Sequence, residues 1–232
     1  MGNGIIIRND SLKTQIDADY TNYSLHEHGE SVSTSNMGDG LGIRKAVVSF
    51  SSPTPYYPLI AIKPGSDYCG FGYHTKSGSN YTGFVVYSLE STTTTFDWQA
   101  FSSNQVKSGE DYGLRVYSSS GVLTFDSGHI SMKCLDFLTA TPGWNTVANV
   151  SHESDANGYF IVSEFGMEEA RSSLGGGTVE LVRSMAMMKY VNATTISFGG
   201  RYMLYGNPPG STHAPRGYWP SLWNILMVGK AF

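Results

Sequence analysis

The stretch HEHGE (26–30) holds the residues most able to do chemistry. On a strand, alternate side chains share a face, so His26 and His28 are expected to point the same way and to be spaced as two imidazole ligands. A third ligand would have to come from Glu30, or from the distant His74, His129, His152 or His213. Two histidines at a strand end before Gly29 read more simply as polar surface, so no metal and no other cofactor is expected. In SHESDANG (151–158), Glu153 and Asp155 could face a calcium-like cation, but the alternating acidic positions of a dedicated loop are missing. Asn157-Gly158 is better read as a turn opening the strand YFIVS.

Nucleophilic catalysis finds little to work with. No G-x-S-x-G elbow is present. SGHIS and GSTHAP place hydroxyls near His129 and His213, but these residue types are abundant here and the spacing selects nothing. GLGI (40–43) and SLGGGTVE (173–180) lack phosphate-loop and dinucleotide spacing and read as loops. Carboxylates from separate strands could converge as a glycosidase pair, yet the sequence singles out none. The protein is therefore expected not to be an enzyme.

The elements that carry these residues are legible as strands. In YGLRVYSSSGVLTFDS (112–127), a loop at Ser118-Ser119-Ser120-Gly121 gives Gly121 a left-handed position. Leu114, Val116, Leu123 and Phe125 would then form one apolar face, with Arg115 and Thr124 on the other. GIIIRNDSLKTQID (4–17) repeats the pattern, with Ile5, Ile7, Leu12 and Ile16 on one face. Gly4 matches Gly113 and Asp17 matches Asp126, a shared offset of 109 residues (113 − 4).

Further strands are expected at 21–30, 46–50, 56–62, 70–74, 83–89 and 92–101, with a polar loop at 31–42. In the second half they are expected at 144–150, 159–162, 179–190 and 194–205. EFGMEEARSSLGGG (164–177) is the one helix candidate, closed by Gly175. The polar connector 102–111 is the best internal boundary. It divides a β region at 1–110 from a second at 111–232, each opening with a hairpin, unless the two run on as one continuous domain. ATTISF (193–198) echoes TTTTF (92–96) late in each half, which suggests a duplicated β unit. The fold class is all-β, with sandwich-like antiparallel sheets, a duplicated hairpin and at most one short helix.

Composition narrows function. Charged residues make up 15% of the chain and aromatics 13%, which suits a turn-rich β protein with surfaces held against other proteins. The net charge of −4, without a Lys/Arg cluster, marks no nucleic-acid footprint. No apolar run is long enough to span a bilayer and no secretory leader is expected. Cys69 and Cys134 are expected to be reduced thiols of a cytosolic product. Met185, Met187 and Met188 fill an irregular core or, alternatively, form an adaptable surface. The segment 205–232, with four prolines and two tryptophans, is either a cover over the sheet ending in an apolar strand or a loop offered to a partner.

FDWQAF (96–101) followed by YGLRVYSSSGVLTFDS resembles a family of small tail proteins of long-tailed bacteriophages. The opening residues Gly4, Asn9, Asp10, Gln15, Ile16, Asp17, Tyr20, Asn22 and Tyr23 are similar to that family's opening. The likeness covers roughly 4–25 and 96–127 and supplies no catalytic residues. It implies a virion structural protein at the distal tail (tail tip, baseplate or fibre attachment), made in the host bacterial cytoplasm. Its partners would be copies of itself and other tail proteins. Tyr205, Tyr218, Trp219 and Trp223 are the candidate contact residues. The alternative is an adhesin that recognises a receptor or glycan on the host surface.

Overall fold

The structure, a computed structural model, describes residues 6–8, 14–17, 20–36, 44–88, 92–103, 106–141, 147–152, 158–162, 167–173, 179–205 and 223–231. Every regular element among them is a strand, in two stacked antiparallel sheets and two separate hairpins. The first half carries β1 (Ile6–Arg8), β2 (Thr14–Asp17), β3 (Ser24–Ser33), β4 (Ser35–Asn36), β5 (Arg44–Thr54), β6 (Leu59–Pro64), β7 (Cys69–Ser77), β8 (Asn80–Ser88) and β9 (Thr95–Ser102). The second carries β10 (Arg115–Tyr117), β11 (Leu123–Asp126), β12 (Cys134–Ala140), β13 (Val147–Ser151), β14 (Tyr159–Val162), β15 (Met167–Ser173), β16 (Val179–Asn192), β17 (Thr195–Tyr205) and β18 (Trp223–Val228).

The strand orders show how the chain is built. One sheet runs β12-β18-β14-β6-β9-β3, and the other runs β13-β17-β16-β7-β8-β5-β4, with β15 also on β16. Read outward from the central pairs β6·β14 and β7·β16, each sheet repeats itself. The run β6-β9-β3 answers to β14-β18-β12, and β7-β8-β5 answers to β16-β17-β13. A hairpin, β1–β2 or β10–β11, precedes each half.

The registers agree with this correspondence. Ala46 and Val48 face Val86 and Phe84, as Ala148 and Val150 face Phe198 and Ile196. Ile60 and Ile62 face Ala100 and Trp98, as Phe160 and Val162 face Met227 and Ile225. The chain is two alike halves related by a pseudo-two-fold, joined along both sheets at Phe160↔Ile62 and Met188↔Cys69.

Alternation places the core between the sheets. Val48, Phe50, Phe71, Phe84 and Val86 of one sheet meet Ile60, Ile62, Phe96, Trp98, Phe160, Ile225 and Met227 of the other, all buried. The outer face of the six-stranded sheet is buried as well, with Ala61, Phe101, Tyr159, Ile161 and Val228 packed against Tyr23, Leu25 and Met132. Strands buried on both faces read as continuous apolar runs, as GFVVYS does.

Several expectations are corrected. The described part of the helix candidate is strand β15, which pairs over its whole length with β16 from Met167↔Met185 to Ser173↔Val179. That ladder satisfies a backbone that two turns of helix would leave half unpaired. Of the polar loop expected at 31–42, residues 31–33 are the end of β3 and Ser35–Asn36 are β4, while 37–42 lie outside the described residues. ATTISF falls in β17, the counterpart of β8 rather than of β9, so its likeness to TTTTF does not reflect the repeat.

Both hairpins form, and Gly121 takes the left-handed conformation, φ +78°. The register of the second hairpin differs from expectation. Arg115 faces Asp126, Val116 faces Phe125 and Tyr117 faces Leu123, with a bulge after Val116. Val116 and Leu123 are buried as expected, but so are Thr124 and Asp126, whereas Leu114 is exposed and Phe125 only part-buried. The bulge inserts a residue and turns the face. In the first hairpin Ile7 faces Ile16; Ile5 and Leu12 lie outside the described residues.

Candidate functional site

His26 and His28 do not share a face. A bulge between Leu25 and Glu27 breaks the alternation, so Glu27 pairs with Ala100 and His28 with Gln99. The His26 ring packs edge-on to Phe50 at 5.1 Å, and its Nε2 bonds Ser52 O at 2.8 Å. Glu27 accepts from Ser51 N and Oγ at 2.8 and 3.0 Å, tying β3 to β5 of the other sheet. Glu30, one of the candidates for a third ligand, pairs with Lys230 at 2.8 Å. Among the described residues no three His, Cys, Asp or Glu side chains gather as a metal site. Glu153, Asp155 and His213 lie outside the described residues.

Cys69 and Cys134 are free thiols. Burial pushes Cys69 up to about 12, which leaves it protonated and inert. Met187 and Met188 are buried, in keeping with the core alternative; the side chain of Met185 is outside the description. Tyr205 ends β17 opposite Leu181, and Trp223 begins β18 opposite Ala140, with only their backbones described. Tyr218 and Trp219 lie outside the described residues.

Three arrangements stand out instead. The first is an aromatic cluster assembled from the β5–β6 connection and the β7–β8 hairpin. The Tyr57 ring meets His74 edge-on at 4.7 Å and Tyr81 at 5.5 Å, and Lys76 lies over Tyr81 at 4.1 Å. His74 Nε2 bonds Pro58 O at 2.9 Å, and burial lowers the pKa of its imidazole, favouring the neutral ring. Tyr57 stays 54% exposed, so the cluster presents an aromatic surface braced from beneath. Such a surface can stack on an apolar or sugar ring.

The second is the pair of sheet edges at the C-terminal half's end of the sandwich. β12 and β13 are the outermost strands of their sheets, and they touch one another. They expose Phe137 (64%) and Val147 (43%). At the opposite end β4 pairs with β5 at Arg44 and Lys45, and β3 carries Glu27, His28 and Glu30. Neither end is uniform, since β12 also carries Asp136 and β13 Asn149, while β5 exposes Val47 (56%) at the opposite end.

The third is the root of the second hairpin. The buried Asp126 carboxylate accepts from Ser108 N and Oγ, Gly128 N and Arg115 Nε at 2.9 to 3.0 Å. Burial alone would raise its pKa, but these hydrogen bonds and the Arg115 charge overcome that and hold it well below the usual carboxylate range. Beside it Asn22, Ser24, Thr124, His129 and Ser131 line a polar recess with room for about one water. Asn22 Nδ2 and Ser24 Oγ are buried there without a protein partner.

Asp126→Asn is expected to cost on the order of 2 kcal/mol at neutral pH, a modest figure because solvent reaches Arg115 and screens the pair. The sign with pH follows from linkage. A folded-state pKa held below the unfolded value of about 4 gives stability that is complete above that pH and lost as pH falls below it. Urea titrations at neutral pH and at about pH 3 should show that loss in the wild type and a shallower one in the variant.

No family model, curated protein or solved structure matches the chain.

Proposed function

We propose that this protein is a structural subunit of a tailed-bacteriophage virion, at the tail tip, baseplate or fibre attachment, acting by self-assembly and by binding other tail proteins. The observation that carries the reading is the pair of strands β12 and β13, which have no outer neighbour among the described residues and expose Phe137 and Val147. An exposed strand edge offers unpaired backbone groups to a neighbour, and proteins that stay alone blunt such edges. Here β12 and β13 present the exposed side chains of Phe137 and Val147 beside such edges. The likeness of 4–25 and 96–127 to phage tail proteins supplies the setting. No helix among the described residues is long and apolar enough to cross a membrane.

Immunogold labelling of virions of the encoding phage tests the placement. Label at the distal tail is expected; intact virions that carry none would overturn it.

The Tyr57–His74–Tyr81 cluster favours a second reading, an adhesin that stacks on a host surface glycan. The isolated protein would then bind host cells, and Tyr57→Ala would weaken binding roughly tenfold. Wild-type protein that leaves cells unlabelled would rule the adhesin out.

A further inference from the structure

The two hairpins match residue for residue. Ile6↔Asp17, Ile7↔Ile16 and Arg8↔Thr14 in β1–β2 answer to Arg115↔Asp126, Val116↔Phe125 and Tyr117↔Leu123 in β10–β11, with the bulge at the same step. The second hairpin is docked on the first half. Asn22 N donates to Thr124 O at 2.9 Å, and Val116, Leu123, Thr124 and Asp126 are buried.

The repeat assigns an equivalent dock for the first hairpin. With Asp17 matched to Asp126, Ser131 holds the place of Asn22, and Gln15 that of Thr124. The segments around Asn22 and Ser131 are themselves paired across the pseudo-two-fold. Leu25 N donates to Ile130 O at 2.7 Å and Met132 N to Tyr23 O at 3.0 Å. In such a ladder the amides of Asn22 and Ser131 point outward, away from each other's strand. The Asn22 amide meets Thr124. The Ser131 amide has no backbone acceptor among the described residues, and its neighbour Ile130 is 51% exposed. Ile6 of the first hairpin is 53% exposed.

We propose that β1–β2 docks on Ile130–Lys133 of a second copy of this chain, the Ser131 amide donating to the Gln15 carbonyl. The contact extends the existing Tyr23–Leu25/Ile130–Met132 ladder by one more strand, so main-chain hydrogen bonding sets its register. Two copies that exchange hairpins close as a dimer, an arrangement of the domain-swapped kind. This rests on the reading of the protein as a self-assembling subunit and names the surface through which one contact is made.

The test uses full-length chains in a Cys134→Ser background, which removes the exposed thiol. Gln15→Cys protein is mixed with Ser131→Cys protein under mild oxidation, with Asn22→Cys/Thr124→Cys as the intrachain calibration. The expected result is a disulfide-linked species at twice 25.2 kDa in the mixture, well in excess of either variant alone. In the full chain, Ser131→Pro removes the donor and should lower the native mass. Self-association without this cross-link would overturn the hairpin contact and leave the assembly reading standing. A protein that is monomeric throughout would overturn both. An intrachain link in dilute Gln15→Cys/Ser131→Cys protein would overturn docking in trans in favour of docking within the chain.

Discussion

Gly70→Val is expected to separate the two halves of the sandwich. Gly70 lies on β7 where that strand meets β16, and a Cβ there would come far inside van der Waals contact with Ala186 O. The obstacle is backbone, so no side-chain rotation relieves it. β16 must move away, and the Met188↔Cys69 pairing that joins the halves in this sheet goes with it. Overpacking costs about 1–3 kcal/mol where side chains can adjust, and more is expected where a strand pair has to part. In urea the wild type should unfold in one transition. The variant should lose at least about 3 kcal/mol or unfold in two steps with a smaller slope for each, as half-sized units do. Gly109→Ala is the control, because a Cβ there meets nothing within 4 Å. A Gly70→Val protein as stable as the control would show that the halves do not depend on this seam.

Trp98→Ala should be the costliest core truncation, at about 3–5 kcal/mol. Trp98 is buried between the sheets, with its ring 5.1 Å from Phe84 and 6.1 Å from Phe50 of the facing sheet. It also fills the space over Gly29, where a Cβ would collide with the indole. Its Nε1 is buried without an acceptor, and an unsatisfied buried donor costs free energy in the wild type. Trp98→Phe keeps most of the ring and discards that donor, so its loss should be much smaller than that of Trp98→Ala. Equal losses from the two substitutions, read from chemical denaturation midpoints, would mean that Nε1 is bonded in solution.

Strand identity was the most legible layer of the fold, because alternation and turn chemistry act over a few residues. YFIV (159–162) and the final apolar strand are clear in the sequence for that reason. What bulges do was not legible. The bulge at His26 separates two histidines that simple alternation puts together, and the one after Val116 shifts a hairpin register. A bulge is set by neighbouring strands, which one segment cannot report. The duplication shows in sequence mainly at the hairpins. In the sandwich it survives as core-face identity, Ala46 and Val48 against Ala148 and Val150, visible only once the ladders align them.

The surfaces were less legible still. Tyr57, His74 and Tyr81 come from a connection and two strands, and nothing in their spacing announces that their rings meet. Phe137 and Val147 look like core residues until the strand order puts β12 and β13 at the edges. The tryptophans of the C-terminal segment drew attention by composition alone, and composition does not say which side of a strand meets water.

Assembly is the claim on which the functional account turns, and the mass of the purified full-length protein across a concentration series, measured by light scattering, tests it most directly. The account predicts a mass that settles at a multiple of 25.2 kDa. A protein that stays at 25.2 kDa at every concentration would contradict it.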